Sequence, residues 1–258
     1  MKQKLFLVVM TFILRSVAIA NPTVVLETES QLIEVMKGYS AAILFFGHGS
    51  KSQFANTEDV LSKVDRVTQE LNSIYGKGRW VAVFGGDSYN PEKPDIGAVM
   101  KHLKESSKAP ILAIQSDVVI QWGGVDKHID YVHYVPTTQI PELGLDDKQI
   151  ISEGKPKMKI VWGGFVNGKP AGPTAVYLGA KLVSGADPLI KGVISIGGGP
   201  IALEEVKYAS KKGIPVKYIK AEARFPEVNG KYGPIDEWLN STKKNRKFNN
   251  SCRSLFRA

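Results

Sequence analysis

VISIGGGPIALEEVKYASKKGIPVKYI (residues 193–219) has the pattern of one β–α–β unit. It opens with an apolar run, typical of a buried strand, which three glycines end. Pro200 fits the first position of a helix over about 200–212, because proline lacks the N–H that would be unpaired there. Gly213 fits the end of that helix, and a second apolar run at 214–219 follows. Two strands joined through a helix predict parallel pairing in an α/β sheet.

The same alternation of apolar runs and helical patterns begins at about residue 40. AAILFF (41–46), RWVAVFGG (79–86) and APILAIQS (109–116) are apolar runs typical of strands buried on both faces. Pro94 and Asp95 open a helix before the third run. The helix between the first two runs is indicated by apolar residues three or four positions apart, namely Val60, Val64, Val67, Leu71 and Ile74.

Farther along, the pattern becomes less regular. YVHYV (131–135) and KIVWGG (159–164) are strand candidates, a glycine-rich loop follows the second, and TAVYLGAKLV (174–183) is a helix candidate. Strands that alternate with helices predict an α/β fold, here a three-layer, doubly wound, mostly parallel sheet of the Rossmann-like kind. The length of 258 residues suits one large domain, which we place at 21–240.

The first 20 residues fit a secretory signal peptide. Lys2 and Lys4 precede an apolar run of ten residues, and the small residues Ala18 and Ala20 fit a cleavage site. The run is shorter than the roughly 20 apolar residues that span a bilayer. We expect cleavage after Ala20 and a secreted or periplasmic protein. An uncleaved anchor and a buried first strand are the alternatives.

The basic character of the chain lies at its two ends. Of the net charge of +9, three charges belong to the first 15 residues and six follow Thr242, so that 21–242 is neutral. A neutral body predicts no nucleic-acid partner. The segment 241–258 is predicted to be a disordered basic tail, either solvated or touching an anionic surface. Its Cys252 is the only cysteine, which excludes an internal disulfide but leaves a homo-oligomer open.

Glycines follow four of the apolar runs, in FFGHGS (45–50), VFGGDS (83–88), VWGGF (161–165) and SIGGGP (195–200). In an open parallel sheet, ligands lie beyond the carboxyl ends of the strands. The pattern therefore predicts an edge where backbone approaches a ligand closely, although glycine also simply terminates strands. The predicted ligand-binding residues are Gly47, Gly49, Ser50, Gly85, Gly86, Asp87, Gly163, Gly164, Gly197, Gly198 and Gly199.

The last of these loops suits an anion. Gly197 permits a steep turn, and the start of the following helix offers unpaired N–H donors and a partial positive charge. Glu204 and Glu205 are expected in the first turn of that helix, where acids complement its dipole. Glu204 is alternatively a catalytic base. His48 is the second catalytic candidate, as an acid–base group or a phosphate contact, and a loop histidine without a role is the alternative.

HIDYVH (128–133) contains three side chains of metal-binding type, but their spacing matches no standard zinc site. A polar strand edge is the favoured explanation. We predict no metal and no cofactor. The chain also lacks the GxSxG elbow, so that no Ser-His-Asp triad is assigned.

GGGPIALE (197–204) resembles the GGxGTxxE pattern of the lysine-decarboxylase-like, cytokinin-activating phosphoribohydrolases, which belong to the Rossmann-like SLOG superfamily. Its first two glycines match that pattern, and Glu204 matches the glutamate. FGHGS (46–50) and GGDSYNPEKPDIGAVM (85–100) resemble the family's turns after the first and second strands. The similarity covers roughly residues 40–220 and identifies the chain as a divergent member.

The resemblance implies a nucleotide-like small-molecule partner and hydrolysis of an N-glycosidic bond, with Glu204 nearest the ribose. The chain departs from the family at Pro200 and Ile201, which replace Gly-Thr. The helical stretch 172–183 carries Lys181 as its only cation, where the hydrolases carry Arg-Lys. These departures leave an alternative open: a non-enzymatic ligand sensor, interaction module or secreted effector of the same fold.

Overall fold

The computed structural model describes residues 23–48, 53–85, 88–116, 125–135, 151–152, 155–156, 165–166, 169–170, 189–198, 200–211 and 213–224. The helices are α1 (Glu29–Lys37), α2 (Thr57–Tyr75), α3 (Ile96–His102), which continues as a π turn over Leu103–Ser107, and α4 (Pro200–Lys211). The strands are β1 (Val24–Leu26), β2 (Ala41–Gly47), β3 (Gln53–Phe54), β4 (Trp80–Phe84), β5 (Ile111–Ser116), β6 (Tyr131–Val135), β7 (Ile151–Ser152), β8 (Lys155–Pro156), β9 (Phe165–Val166), β10 (Lys169–Pro170), β11 (Ile190–Ile196), β12 (Val216–Ile219) and β13 (Ala223–Arg224).

Seven strands form one sheet in the order β1-β6-β5-β4-β2-β11-β12, and every neighbouring pair in it is parallel. The predicted α/β fold with a mostly parallel, Rossmann-like sheet is confirmed. The expected strands at 41–46, 79–86, 109–116, 131–135 and 214–219 are all present, with bounds that differ by at most two residues, and the apolar run that opens at Val193 belongs to β11.

Helices cover both faces of the sheet. On β2, Ala42, Leu44 and Phe46 pack toward α1 and α4, whereas the intervening Ala41, Ile43 and Phe45 pack toward α2 and α3. Successive side chains of a strand point to opposite faces, so that a continuous apolar run supplies both cores at once. The predicted three-layer arrangement follows from this alternation.

The order of the strands reverses beside β2. β4, β5 and β6 lie on one side of β2, and the chain later returns to place β11 and β12 on the other. The helices after β2 and β4 lie on one face and the helix after β11 lies on the opposite face, as right-handed crossovers require. The boundary between β2 and β11 is therefore the switch point of the sheet, where open α/β folds bind ligands.

The first strand and helix were not anticipated from the sequence. β1 pairs with β6 at one edge of the sheet, and α1 leads from it to β2. A capping box begins α1: the Gln31 N–H donates to the Thr28 hydroxyl over 3.2 Å, and the Thr28 N–H donates to the Gln31 side chain over 3.0 Å. The Thr-x-x-Gln spacing in the sequence is typical of a capping box at the start of a helix.

Thr28→Ala is expected to lower the free energy of unfolding by about 1 kcal/mol, because the N–H of Gln31 loses its acceptor at the helix end. Urea unfolding followed by circular dichroism measures this change. Ser30→Ala, at an exposed position two residues later, is the control and should not destabilise the protein. Equal losses in both variants would contradict a capping role for Thr28.

Several predicted segments lie outside the described residues: the signal peptide at 1–20, the strand at 159–164, the helix at 174–183 and the tail at 241–258. Between β6 and β11 along the chain, β7 pairs antiparallel with β8, and β9 pairs antiparallel with β10. The sequence predicted no regular element at β7 and β8 and a glycine-rich loop at β9 and β10. Among the described helices, none is both long enough and apolar enough to cross a membrane.

Candidate functional site

Three of the four predicted glycine-bearing strand ends meet at one edge of the sheet. β4, β2 and β11 are neighbours and parallel, so their carboxyl ends lie side by side. Gly47 ends β2, Gly85 follows β4, and Gly197 and Gly198 follow β11. The remaining predicted ligand-binding residues lie outside the described part of the chain: Gly49, Ser50, Gly86, Asp87, Gly163, Gly164 and Gly199.

The register of the sheet explains which residues meet at the switch point. Ile196 is paired with Gly47 on one side and with Ile219 on the other. One residue further along, His48 and Gly197 therefore come together, and the chain beyond β12 reaches the same place at Ala221. The side chain of His48 fills this space and is only 2 % exposed.

His48 contacts four separate segments. Its Nε2 lies 3.2 Å from the backbone nitrogen of Gly198 and 3.3 Å from the carbonyl oxygen of Ala221. Its ring meets that of Phe54 edge-on at 6.2 Å between centroids. Its own carbonyl accepts the N–H of Ile96, the first residue of α3, over 2.9 Å. His48 thus connects β2 with β3, the loop after β11, the segment after β12 and the start of α3.

Gly197 is required by its conformation and by its neighbours. Its φ is +56°, a region that favours glycine, and a Cβ there would lie 2.3 Å from Nε2 of His48. Its N–H donates to Ile219 over 2.9 Å, and its carbonyl accepts the hydroxyl of Ser195 over 3.1 Å. The loop that the sequence assigned to a ligand is therefore held by the protein's own groups at this residue.

Gly47 and Gly85 differ in what surrounds them. A Cβ on Gly47 would lie 2.8 Å from Cδ1 of Ile96 and 3.0 Å from the carbonyl oxygen of Ile196, so close packing excludes a side chain. A Cβ on Gly85 would meet no described atom within 4 Å. Gly85 is partly exposed, and packing within the described part of the chain leaves space beside it.

A wall of the site was not foreseen from the sequence. β13 pairs antiparallel with β3, with Ala223 opposite Phe54, and the N–H of Ala55 donates to Glu222 over 2.8 Å. These bonds hold the chain after β12 against the carboxyl edge, which places the carbonyl of Ala221 at His48. No local sequence pattern signals a contact between residues 173 positions apart.

The start of α4 corrects one expectation. Pro200 is the first helical residue, as predicted, and Gly213, at φ +76°, follows the helix end. Counted from Pro200, Glu204 and Glu205 are the fifth and sixth residues, so they lie in the second turn, and the first turn contains no acid. The expected placement of both glutamates in the first turn is wrong. The dipole effect falls off within one turn and does not account for them.

The residues of HIDYVH have separate partners. Nδ1 of His128 lies 2.6 Å from Asp126, whose other oxygen accepts the N–H of Tyr89 over 2.8 Å. Asp130 pairs with Lys104 and accepts the N–H of Ile111, while Nδ1 of His133 lies 2.8 Å from the carbonyl oxygen of Leu26. Within the described ranges, no three histidine, cysteine or acidic residues are grouped so as to hold a metal ion.

Among the residues that the structure describes, the switch point offers backbone amides and one imidazole. Of the described amides in the loop, that of Gly197 is bonded to Ile219 and that of Gly198 points at His48. His48 has almost no exposed surface in this conformation, so its contacts position the surrounding segments. Its catalytic role, like that of Glu204, stays a prediction. No protein-family model matches the chain, and no curated protein matches it.

Proposed function

We propose that this chain binds a nucleotide-derived small molecule at the carboxyl edge of its sheet, beside the switch point between β2 and β11. The observation that carries the proposal is the meeting of three glycine-bearing strand ends at that edge. Ligands of open α/β sheets lie there because the strand order leaves a crevice between loops that diverge. The space beside Gly85 supports it, since packing within the described residues does not require a glycine there.

The nucleotide character of the ligand rests on the resemblance to the phosphoribohydrolases. Under this proposal, the glycines at 197–199 and the start of α4 face the phosphate. Ser50, Gly86 and Asp87 belong to the opposite wall. The reaction that the same resemblance supports is hydrolysis of an N-glycosidic bond, with Glu204 activating water or stabilising the cationic sugar.

A non-enzymatic ligand sensor of the same fold is the second candidate, and the contact between His48 and Gly198 favours it. The imidazole is buried and bonded to the loop. In this conformation it therefore does not offer a free acid or base to a substrate. The absence of an arginine from 172–183 points in the same direction. We propose that in either case the protein is secreted or periplasmic, because the sequence of residues 1–20 fits a signal peptide.

Calorimetric titration with a panel of nucleoside mono- and diphosphates is expected to give saturable binding to the wild-type protein. Gly85→Leu should weaken that binding at least about tenfold, because the side chain enters the space beside the strand end. Its unfolding midpoint in urea should stay close to that of the wild type. Ser30→Leu places the same side chain on the exposed surface of α1 and should bind normally.

The outcomes separate the candidates. Binding together with free base detected by chromatography supports the hydrolase, and binding without release supports the sensor. Absence of binding across the panel would overturn both. Equal affinity of Gly85→Leu and the wild-type protein would remove the site from this edge.

A further inference from the structure

Nε2 of His48 lies within hydrogen-bond distance of two backbone groups, one of which is a donor and the other an acceptor. The N–H of Gly198 is a donor and needs a bare, accepting nitrogen at 3.2 Å. The carbonyl of Ala221 is an acceptor and needs a protonated nitrogen at 3.3 Å. One ring nitrogen carries either a proton or a lone pair, so it cannot satisfy both at the same time.

The two partners belong to different parts of the site. Gly198 lies in the loop between β11 and α4, and Ala221 lies in the segment that β13 and β3 hold against the sheet. The protonation of a single buried atom therefore decides which of these two segments is bonded to β2. In the imidazolium both nitrogens are donors, and the bond to Gly198 is then excluded.

We propose that His48 is a proton-operated latch on the loop between β11 and α4, here called the glycine loop. In the neutral ring with its proton on Nδ1, Nε2 accepts from Gly198 and holds the loop against β2. When the ring binds a second proton, Nε2 donates to Ala221 instead, and the N–H of Gly198 is released. The proton moves only between solvent and the ring, and no other bond is made or broken.

The consequence for ligands rests on the proposed function. An anion at the glycine loop competes with Nε2 for the N–H of Gly198. When the ring is protonated, Nε2 no longer accepts this N–H, which is then available to the anion. The imidazolium also adds a positive charge beside the anion. Anion affinity should consequently rise as the pH falls, and a bound anion should in turn favour the protonated ring.

Other charged groups lie on the described elements around His48. Asp95 is 3 % exposed and caps α3, where its Oδ1 accepts the N–H of Gly97 over 2.8 Å. The segment that carries Ala221 is flanked by exposed charges, and α2 contributes an ammonium that contacts the carbonyl of Lys220. The charged residues concerned are Lys63, Lys220 and Glu222.

Nitrogen NMR of the wild-type protein labelled in its histidines tests the latch directly. At about pH 8 we expect Nε2 of His48 to be unprotonated and the amide of Gly198 to be protected from hydrogen exchange. At about pH 5.5, both nitrogens should be protonated and that protection should be lost, while Gly197, bonded to Ile219, stays protected. A protonated Nε2 at pH 8, or unchanged protection of Gly198, would overturn the proposal.

Sulfate is the probe for the ligand step, because its charge does not change over this pH range. The dissociation constant for sulfate should be about 5-fold or more higher at pH 8 than at pH 5.5, because only the protonated ring leaves the N–H of Gly198 to the anion. His48→Gln should abolish this pH dependence, and His102→Gln, whose histidine pairs with Asp65 on α2, should retain it.

The latch and the proposed function can fail separately. If the affinity for nucleotides does not change with the protonation of His48, the proposed function stands and the latch is overturned. The expected NMR change and sulfate dependence without binding of any nucleotide would leave the latch standing and overturn the function. Should His48→Gln fail to fold, the NMR measurement on the wild-type protein decides alone.

Discussion

Gly197→Ala is expected to lower the free energy of unfolding by about 2–5 kcal/mol. The residue has a φ of +56°, where a Cβ costs about 1–2 kcal/mol. The added methyl would also lie 2.3 Å from Nε2 and 2.6 Å from Cδ2 of His48, and 3.0 Å from the carbonyl oxygen of Ala221. Overpacking of a buried site adds about 1–3 kcal/mol. Urea unfolding of the purified variant measures the sum.

The steric part of this loss belongs to one neighbour and can be separated. In Gly197→Ala combined with His48→Ala the clash with the ring disappears, so the two losses should fall short of additivity by about 1–3 kcal/mol. Gly85→Ala is the control, because its Cβ meets no described atom within 4 Å and should change stability by less than about 1 kcal/mol. Strict additivity would mean that the ring does not occupy this space.

The strands of the sheet could be predicted because each strand has its own local pattern of apolar residues. A strand buried on both faces needs an unbroken apolar run, and AAILFF at 41–46 supplies side chains to both cores. Most of the stripe on α2 could be predicted for the same reason, since Val60, Val64, Val67 and Leu71 are all buried. Its last predicted member, Ile74, is exposed instead. Such patterns depend only on the period of the element and not on which strand is its neighbour.

The order of the strands and the switch point could not be predicted in this way. Which strand lies beside β2 depends on packing between segments far apart in sequence, and β11 comes from roughly 150 residues further along. The glycines were a correct signal for the edge but an incomplete one. They do not distinguish Gly197, which the protein's own atoms crowd, from Gly85, which has space beside it.

The surroundings of His48 could not be predicted from the local sequence either. The GHGS stretch placed a histidine at the end of a strand, where a ligand contact was a reasonable expectation. Its burial and its partners come from Gly198 and Ala221, which are 150 and 173 positions away. The turn of α4 that holds Glu204 was misplaced by a miscount, because a helix that begins at Pro200 with 3.6 residues per turn already puts Glu204 in its second turn.

Glu204→Gln is expected to lower the rate of base release from a bound nucleotide by about 10²–10⁴-fold, while the dissociation constant stays within about threefold of the wild type. The amide keeps the size of the carboxylate but cannot take a proton from water or stabilise a cationic sugar. Glu205→Gln is the matched control, since the next helical position is rotated by about 100° and lies outside the resemblance. Single-turnover release of the base, followed by chromatography, measures the effect. Equal turnover of Glu204→Gln and the wild-type protein would exclude the catalytic role, and binding without release in all three proteins would assign the site to a sensor.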